Sequence, residues 1–160
     1  SPKGKARIAA ALWLQGESDS TSSEKLAAYQ DRIDALIGAL RLDLNSPELP
    51  FIACTIGELK QSNVKDRKAI NAILLDLPNR VPNSVCIDSR GFAKSIGDMV
   101  HFDADTQNRH GQLYAAEFLR LSNKKYGVAV GSLMLADSRV QRFVLGSNMR
   151  KLFLLFRNIR

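Results

Sequence analysis

Three short apolar runs, at residues 8–14, 51–56 and 84–87, are each followed by a longer stretch whose apolar residues recur at helical spacing. That alternation constrains the fold more than any other property of the chain. Apolar runs of roughly four to eight residues suit strands buried on both faces, and strands separated by helices pair in parallel through crossover connections. The expectation is an α/β fold, a three-layer α/β/α sandwich around a mostly parallel sheet. Three strands make a thin sheet, so the pattern reads as part of a larger doubly wound domain.

Each helical stretch carries its own start and stop signals. Thr21-Ser22-Ser23-Glu24 matches the S/T-x-x-E capping box, and Leu26, Tyr29, Ile33, Leu36, Ile37 and Leu40 then trace one apolar face up to a stop at Asn45-Ser46-Pro47. In the second helix Ser62 or Asn63 is the expected cap, Ile70, Ile73, Leu74 and Leu77 the buried stripe, and Pro78 the stop. The third helix is expected from Asp105 or Thr106 to Gly127, with Leu113, Tyr114, Phe118 and Leu121 facing the core.

At 160 residues and 45% hydrophobic content, one domain can bury a full core. No uninterrupted apolar run approaches the ~18 residues of a spanning helix, and the basic residues before Ile8 are not followed by a secretory signal pattern. Compartment is left open. The chain starts at Ser1-Pro2 without an initiator Met, which suggests a processed or partial chain. The net charge of +7 is unevenly spread: residues 128–160 hold six Arg or Lys against one Asp, five of the seven net charges. A charge confined to one terminal segment reads as a solvated tail rather than a nucleic-acid reading surface, and no aromatic and basic residues interleave on a recognisable element. The expected organisation is therefore a domain over 1–127 and a basic tail over 128–160. For that tail an amphipathic helix, a strand over 140–145 with a short helix, and a membrane-surface or groove-binding role for the apolar block 152–156 stay open.

Cys54 and Cys86 each sit inside an apolar strand-like run, which favours buried free thiols over a disulfide and is compatible with a cytoplasmic setting. No CxxC or close Cys/His set is present, so neither a metal nor another cofactor is expected.

Two polar stretches carry the candidate chemistry. Gln15-Gly16-Glu17 follows the first strand, where open α/β sheets bind ligands outside the carboxyl ends of their strands, although a tight turn at Gly16 with solvated neighbours would look the same. Asp98-Met99-Val100-His101 places an Asp three residues before a His, a spacing at which the carboxylate can accept from Nδ1 and leave Nε2 free as a base. His110, beside Arg109 in the first turns of a helix, is expected to point to solvent. Asp98, Asp103 and Asp105 lack calcium-loop spacing, so helix capping is the better account of them.

Taken together, residues 8–121 resemble the SASA group of SGNH hydrolases, which includes sialate O-acetylesterases and the acetylxylan esterases of carbohydrate esterase family six. The resemblance is carried by Leu12-Trp13-Leu14-Gln15-Gly16-Glu17-Ser18-Asp19, by residues 42–52, and by Asp98-Met99-Val100-His101-Phe102-Asp103, in the family order. It implies an SGNH/flavodoxin-like sheet and a serine esterase that removes acetyl groups from carbohydrate hydroxyls. By position, His101 would be the general base, Asp98 its orienting partner, Gln15 an oxyanion-hole donor, and Glu17 a residue of the same pocket.

The family's nucleophile lies in a Gly-Gln-Ser-Asn block after an earlier strand, and only seven residues precede Ile8 here. The resemblance thus implies the carboxyl-terminal part of the fold, inactive alone and completed by a missing segment or a second chain. Two substitutes can be named. Gln61-Ser62-Asn63 matches three letters but sits where a cap belongs, and Ser147 in Gly146-Ser147-Asn148 would serve only if a circular permutation returned its strand beside the first. A non-catalytic interaction module, pairing through the open edge of the first strand, is the competing expectation.

Overall fold

The computed structural model describes residues 8–58, 64–98 and 101–126. The basic tail, Ser147 and Gln61-Ser62-Asn63 lie outside the described residues. Within them β1 (Ala11–Trp13), α1 (Ser23–Asp43), β2 (Phe51–Cys54), α2 (Val64–Arg80), β3 (Ser84–Ile87) and α3 (Ala104–Tyr126) follow one another, with a single 3₁₀ turn (Asp19–Thr21) before α1. The strands pair in parallel in the order β1-β2-β3, with Ala11 opposite Phe51 and Phe51 opposite Ser84.

Alternation along the strands divides the core into two. Phe51 and Ala53 face Tyr29, Ile33 and Ile37 of α1 and Ile70, Leu74 and Leu77 of α2, while Ile52 and Cys54 face Tyr114 and Leu121 of α3. The result is the expected three-layer α/β/α arrangement with helices on both faces. Every residue of β2 is buried, which is why this central strand reads as an unbroken apolar run. Among the described residues no helix is long and apolar enough to cross a membrane.

Local signals acted slightly out of register from their sequence reading. The N-cap of α1 is Ser22, whose hydroxyl accepts from the Lys25 amide at 3.2 Å; Thr21 belongs to the preceding turn and Lys25, not Glu24, stands at the third helical position, so Ser22 caps the helix without the predicted box. At the other end Asn45 takes φ +46°, and its amide and that of Ser46 bond the carbonyls of Leu42 and Arg41 at 3.0 and 2.9 Å. This is a Schellman closure made by Asn rather than Gly. Pro78 does not stop α2, which continues to Arg80. Arg80 secures that last turn by bonding Ile73 O, Asp76 and, as a fork, Asp34 of α1. Leu36, expected on the buried face of α1, is 41% exposed.

The two cysteines are free and separated by the sheet itself, Cys54 facing α3 and Cys86 facing the other layer. Burial pushes their thiols up to about 11 and about 12, away from the thiolate form.

Candidate active site at the carboxyl end of the sheet

Parallel strands deliver their following residues to one end, and here that end is polar. After β1 the chain turns at Gly16, which is buried and has φ +151°, a conformation side-chain-bearing residues rarely adopt. A Cβ there would stand 2.6 Å from Ile70 Cγ2, so the glycine is required both by the turn and by the packing of α2 against it. The turn is closed by the amides of Asp19 and Ser20 on Gly16 O, at 3.1 and 3.0 Å.

This turn fixes Gln15. Its carbonyl accepts from the Tyr29 hydroxyl at 2.8 Å, and its side-chain Nε2 donates to Asp19 Oδ2 at 2.6 Å. Tyr29 also accepts from Trp13 Nε1 at 3.4 Å, and burial drives its phenol well above the usual range, so it remains a neutral donor. One Nε2 proton of Gln15 is engaged by Asp19, which leaves the other for an acceptor in the half-buried space beside it. Gln15 lines a shallow cleft with Trp13, Asp19, Tyr29 and Arg32; Glu17 is not part of that lining, and its carboxylate makes no hydrogen bond among the described residues.

Beyond β2 and β3 lies a polar network that the sequence did not announce. Asn71 of α2, fully buried, accepts from Ile56 N at 2.8 Å and donates to Ile56 O at 2.9 Å and Glu58 Oε1 at 3.0 Å. One amide side chain thereby stands in for a strand partner just past the end of β2. Thr55 and Ser89, both fully buried, share a hydroxyl contact at 3.0 Å, and the Ser89 amide donates to Thr55 Oγ1 at 2.9 Å. Arg90 forks onto Asp88, whose carboxyl it holds below the usual range, and approaches Glu58 at 3.8 Å.

The Asp98–His101 pair forms before α3. Asp98 Oδ1 accepts from the His101 amide at 2.8 Å, and Asp98 Oδ2 is in hydrogen-bond contact with His101 Nδ1. A carboxylate only accepts, so the proton belongs on Nδ1 and the Nε2 lone pair is directed away from Asp98. The pair is open to solvent, with His101 72% and Asp98 39% exposed. Its segment is a small hairpin: Ser95 and Phe102 form an antiparallel bridge, Ile96 N bonds His101 O at 3.1 Å, and Asp103 N bonds Lys94 O at 3.0 Å. Asp103 caps α3 through the Thr106 amide at 2.8 Å, and no metal-binding cluster occurs among the described residues.

The two sequence-derived stretches follow β1 and β3 in the chain, and among the described residues no hydrogen bond joins them. Tyr114 connects α3 to the first of them, its hydroxyl donating to Trp13 O at 2.8 Å. Among the described residues no serine is hydrogen-bonded to His101. His110 corrects its sequence reading: it is 3% exposed, packed edge-on against Phe92 and Phe102, and burial lowers its affinity for a proton. Arg109, not His110, takes the outer position, with its guanidinium 4.0 Å over the Phe92 ring. Phenylalanines at 92 and 102 were the available signal, but their convergence on one helix position is not visible in sequence order.

Comparison with known proteins bears on this arrangement. Residues 2–120 match the family model described as SASA, carbohydrate esterase, sialic acid-specific acetylesterase. A probable carbohydrate esterase of Arabidopsis thaliana is 34% identical over 112 residues, 70% of this chain and 40% of that protein. The X-ray structure of the same plant protein matches with a TM-score of 0.60 at 32% identity, covering 71% of this chain and 45% of that one. The chain thus spans about two fifths of the length of the curated relative it matches. Over the span that holds the sheet, Gln15 and the Asp98–His101 pair, this chain is a carbohydrate-esterase-like domain and belongs to the SASA family.

Proposed function

We propose that this domain supplies the general base and an oxyanion donor of a serine esterase that removes acetyl groups from carbohydrate hydroxyls. The observation that carries the reading is the double hold of Asp98 on His101, through the backbone amide and through Nδ1, in a chain of this family. In the reaction His101 Nε2 takes the proton of a serine hydroxyl as its oxygen attacks the acetyl carbonyl carbon. The tetrahedral oxyanion accepts from the free Gln15 Nε2 proton, a neutral donor suited to transient charge. Collapse breaks the ester bond, and Nε2 returns the proton to the departing sugar oxygen. Water, deprotonated by the same imidazole, then attacks the acetyl carbon; the bond to the serine oxygen breaks, acetate leaves, and Nε2 returns the proton to the serine.

The attacking serine is assigned to sequence outside the described residues: a completing segment with the family's Gly-Gln-Ser-Asn block, or Ser147. Glu17 is assigned to holding the loops or the sugar at this site. The test is p-nitrophenyl acetate hydrolysis by this chain and by the chain extended upstream with that block. Activity that appears on extension and depends on His101 supports the assignment; activity independent of His101 removes it.

A second reading, a non-catalytic interaction module, is favoured by the edge of the sheet. Among the described residues β1 is paired on one side only, and Ile8 and Leu14 beside it are 49% and 41% exposed. Light scattering distinguishes it: concentration-dependent association supports the module, and a stable monomer at high concentration counts against it.

A further inference from the structure

His110 is a buried titratable side chain of α3 that the proposed reaction does not use. Only 3% of it is exposed, and neither ring nitrogen has a hydrogen-bond partner among the described residues. A polar ring buried without a partner costs stability that an apolar ring in the same slot would not. What surrounds it is specific. Phe102 meets it edge-on at 4.9 Å and 84°, and Phe92 at 5.6 Å and 65°. These two phenylalanines flank the stretch bearing Asp98 and His101, one before it and one immediately after His101.

The remaining ties of this stretch come from the first turn of α3. Asp103 and Thr106 exchange bonds with the hairpin at Lys94, and Gln107 Nε2 donates to Phe102 O at 2.9 Å. His110, one turn further along, is the position on the helix that touches both flanking rings. Edge-to-face contacts fix ring orientation as well as distance, so this ring sets where each stem of the segment meets α3.

We propose that His110 is a positioning residue for His101: wedged edge-on between Phe92 and Phe102, it clamps both stems of the segment that holds the Asp98–His101 pair. Its relevance to catalysis rests on the reading of His101 as the general base; the clamp itself does not.

Nuclear magnetic resonance of the full chain tests the clamp without any assay of hydrolysis. Two quantities are read: amide exchange at Ile96, His101 and Asp103 relative to the core amides of β2, and the ring nitrogen signature of His101, which reports its tautomer. His110→Ala is expected to speed the three hairpin amides roughly tenfold beyond any change in β2, and to shift His101 from the single Nδ1–H tautomer toward a mixture. His110→Phe, which keeps the aromatic edges, is expected to restore both. Should His110→Ala not fold, His110→Leu fills the slot without an aromatic edge and is read the same way. The proposal is overturned if hairpin exchange rises only in step with β2, or if a folded His110→Phe leaves the His101 signature disturbed. Loss of the esterase reading would change neither readout, so the two failures are distinguishable.

Discussion

Tyr114 of α3 donates its hydroxyl to the carbonyl of Trp13, 101 residues earlier, at 2.8 Å. This bond joins the helix that follows the Asp98–His101 pair to the strand that precedes Gln15, so the two halves of the candidate site share one frame. Burial drives the Tyr114 phenol far above its ordinary range, which keeps it a donor at any physiological pH. Tyr114→Phe would leave the ring packed and the Trp13 carbonyl short of a partner. The expected cost is about 1–2 kcal/mol, read as a lower urea midpoint at unchanged slope.

Gly16 is the second fixed point. Replacing it by Ala imposes a side chain at φ +151° and a 2.6 Å approach to Ile70 Cγ2. The expected loss is at least about 2 kcal/mol in denaturant unfolding. Pairing it with Ile70→Ala should relieve the clash but not the backbone strain, so the double mutant should not return to the stability of Ile70→Ala alone.

Asn71 carries three hydrogen bonds from a fully buried position. Asn71→Leu keeps much of the volume and strands the Ile56 amide and carbonyl in the core. A destabilisation of about 2–4 kcal/mol is expected by chemical denaturation, larger than for an exposed asparagine such as Asn79.

Much of the fold was legible because its signals are local or periodic. All three strands lie inside the apolar runs at 8–14, 51–56 and 84–87, and Ile70, Leu74 and Leu77 were readable from their spacing because a helix face is a sequence period. The errors have physical causes. Pro78 sits late enough in α2 that one lost amide bond does not end the helix, and Asn45, rather than Pro47, turns α1 off. His110 was misread because its burial comes from Phe92 and Phe102, which reach it only after the hairpin folds back. Of the candidate site, the Asp98–His101 contact was readable because it spans three residues. The roles of Tyr29, Tyr114 and Asn71 were not, since their polar ends are aimed by tertiary contacts between helix and strand.

The buried state of His110 makes stability depend on pH. Its proton affinity in the folded chain lies below the ordinary value of 6.5, so the unfolded chain binds the proton more readily. Stability is therefore complete above pH 6.5 and falls as pH drops below it. Urea midpoints measured between about pH 5 and 7.5 should decline toward acid in the parent chain, and His110→Phe should flatten that decline. Asp88 and Asp103, whose carboxyls are held low by Arg90 and by Thr106, lose their contributions only at more acid pH.

The orientation of His101 by Asp98 is the centre of the functional account, and kinetics test it most directly. In the chain completed with an upstream Gly-Gln-Ser-Asn segment, kcat/KM for p-nitrophenyl acetate is measured for the parent, Asp98→Asn and His101→Gln. The account predicts losses on the order of 10³-fold or more for both variants, with folding unchanged because the pair is exposed. Hydrolysis by either variant within about twofold of the parent, a difference worth less than 0.5 kcal/mol, would contradict it.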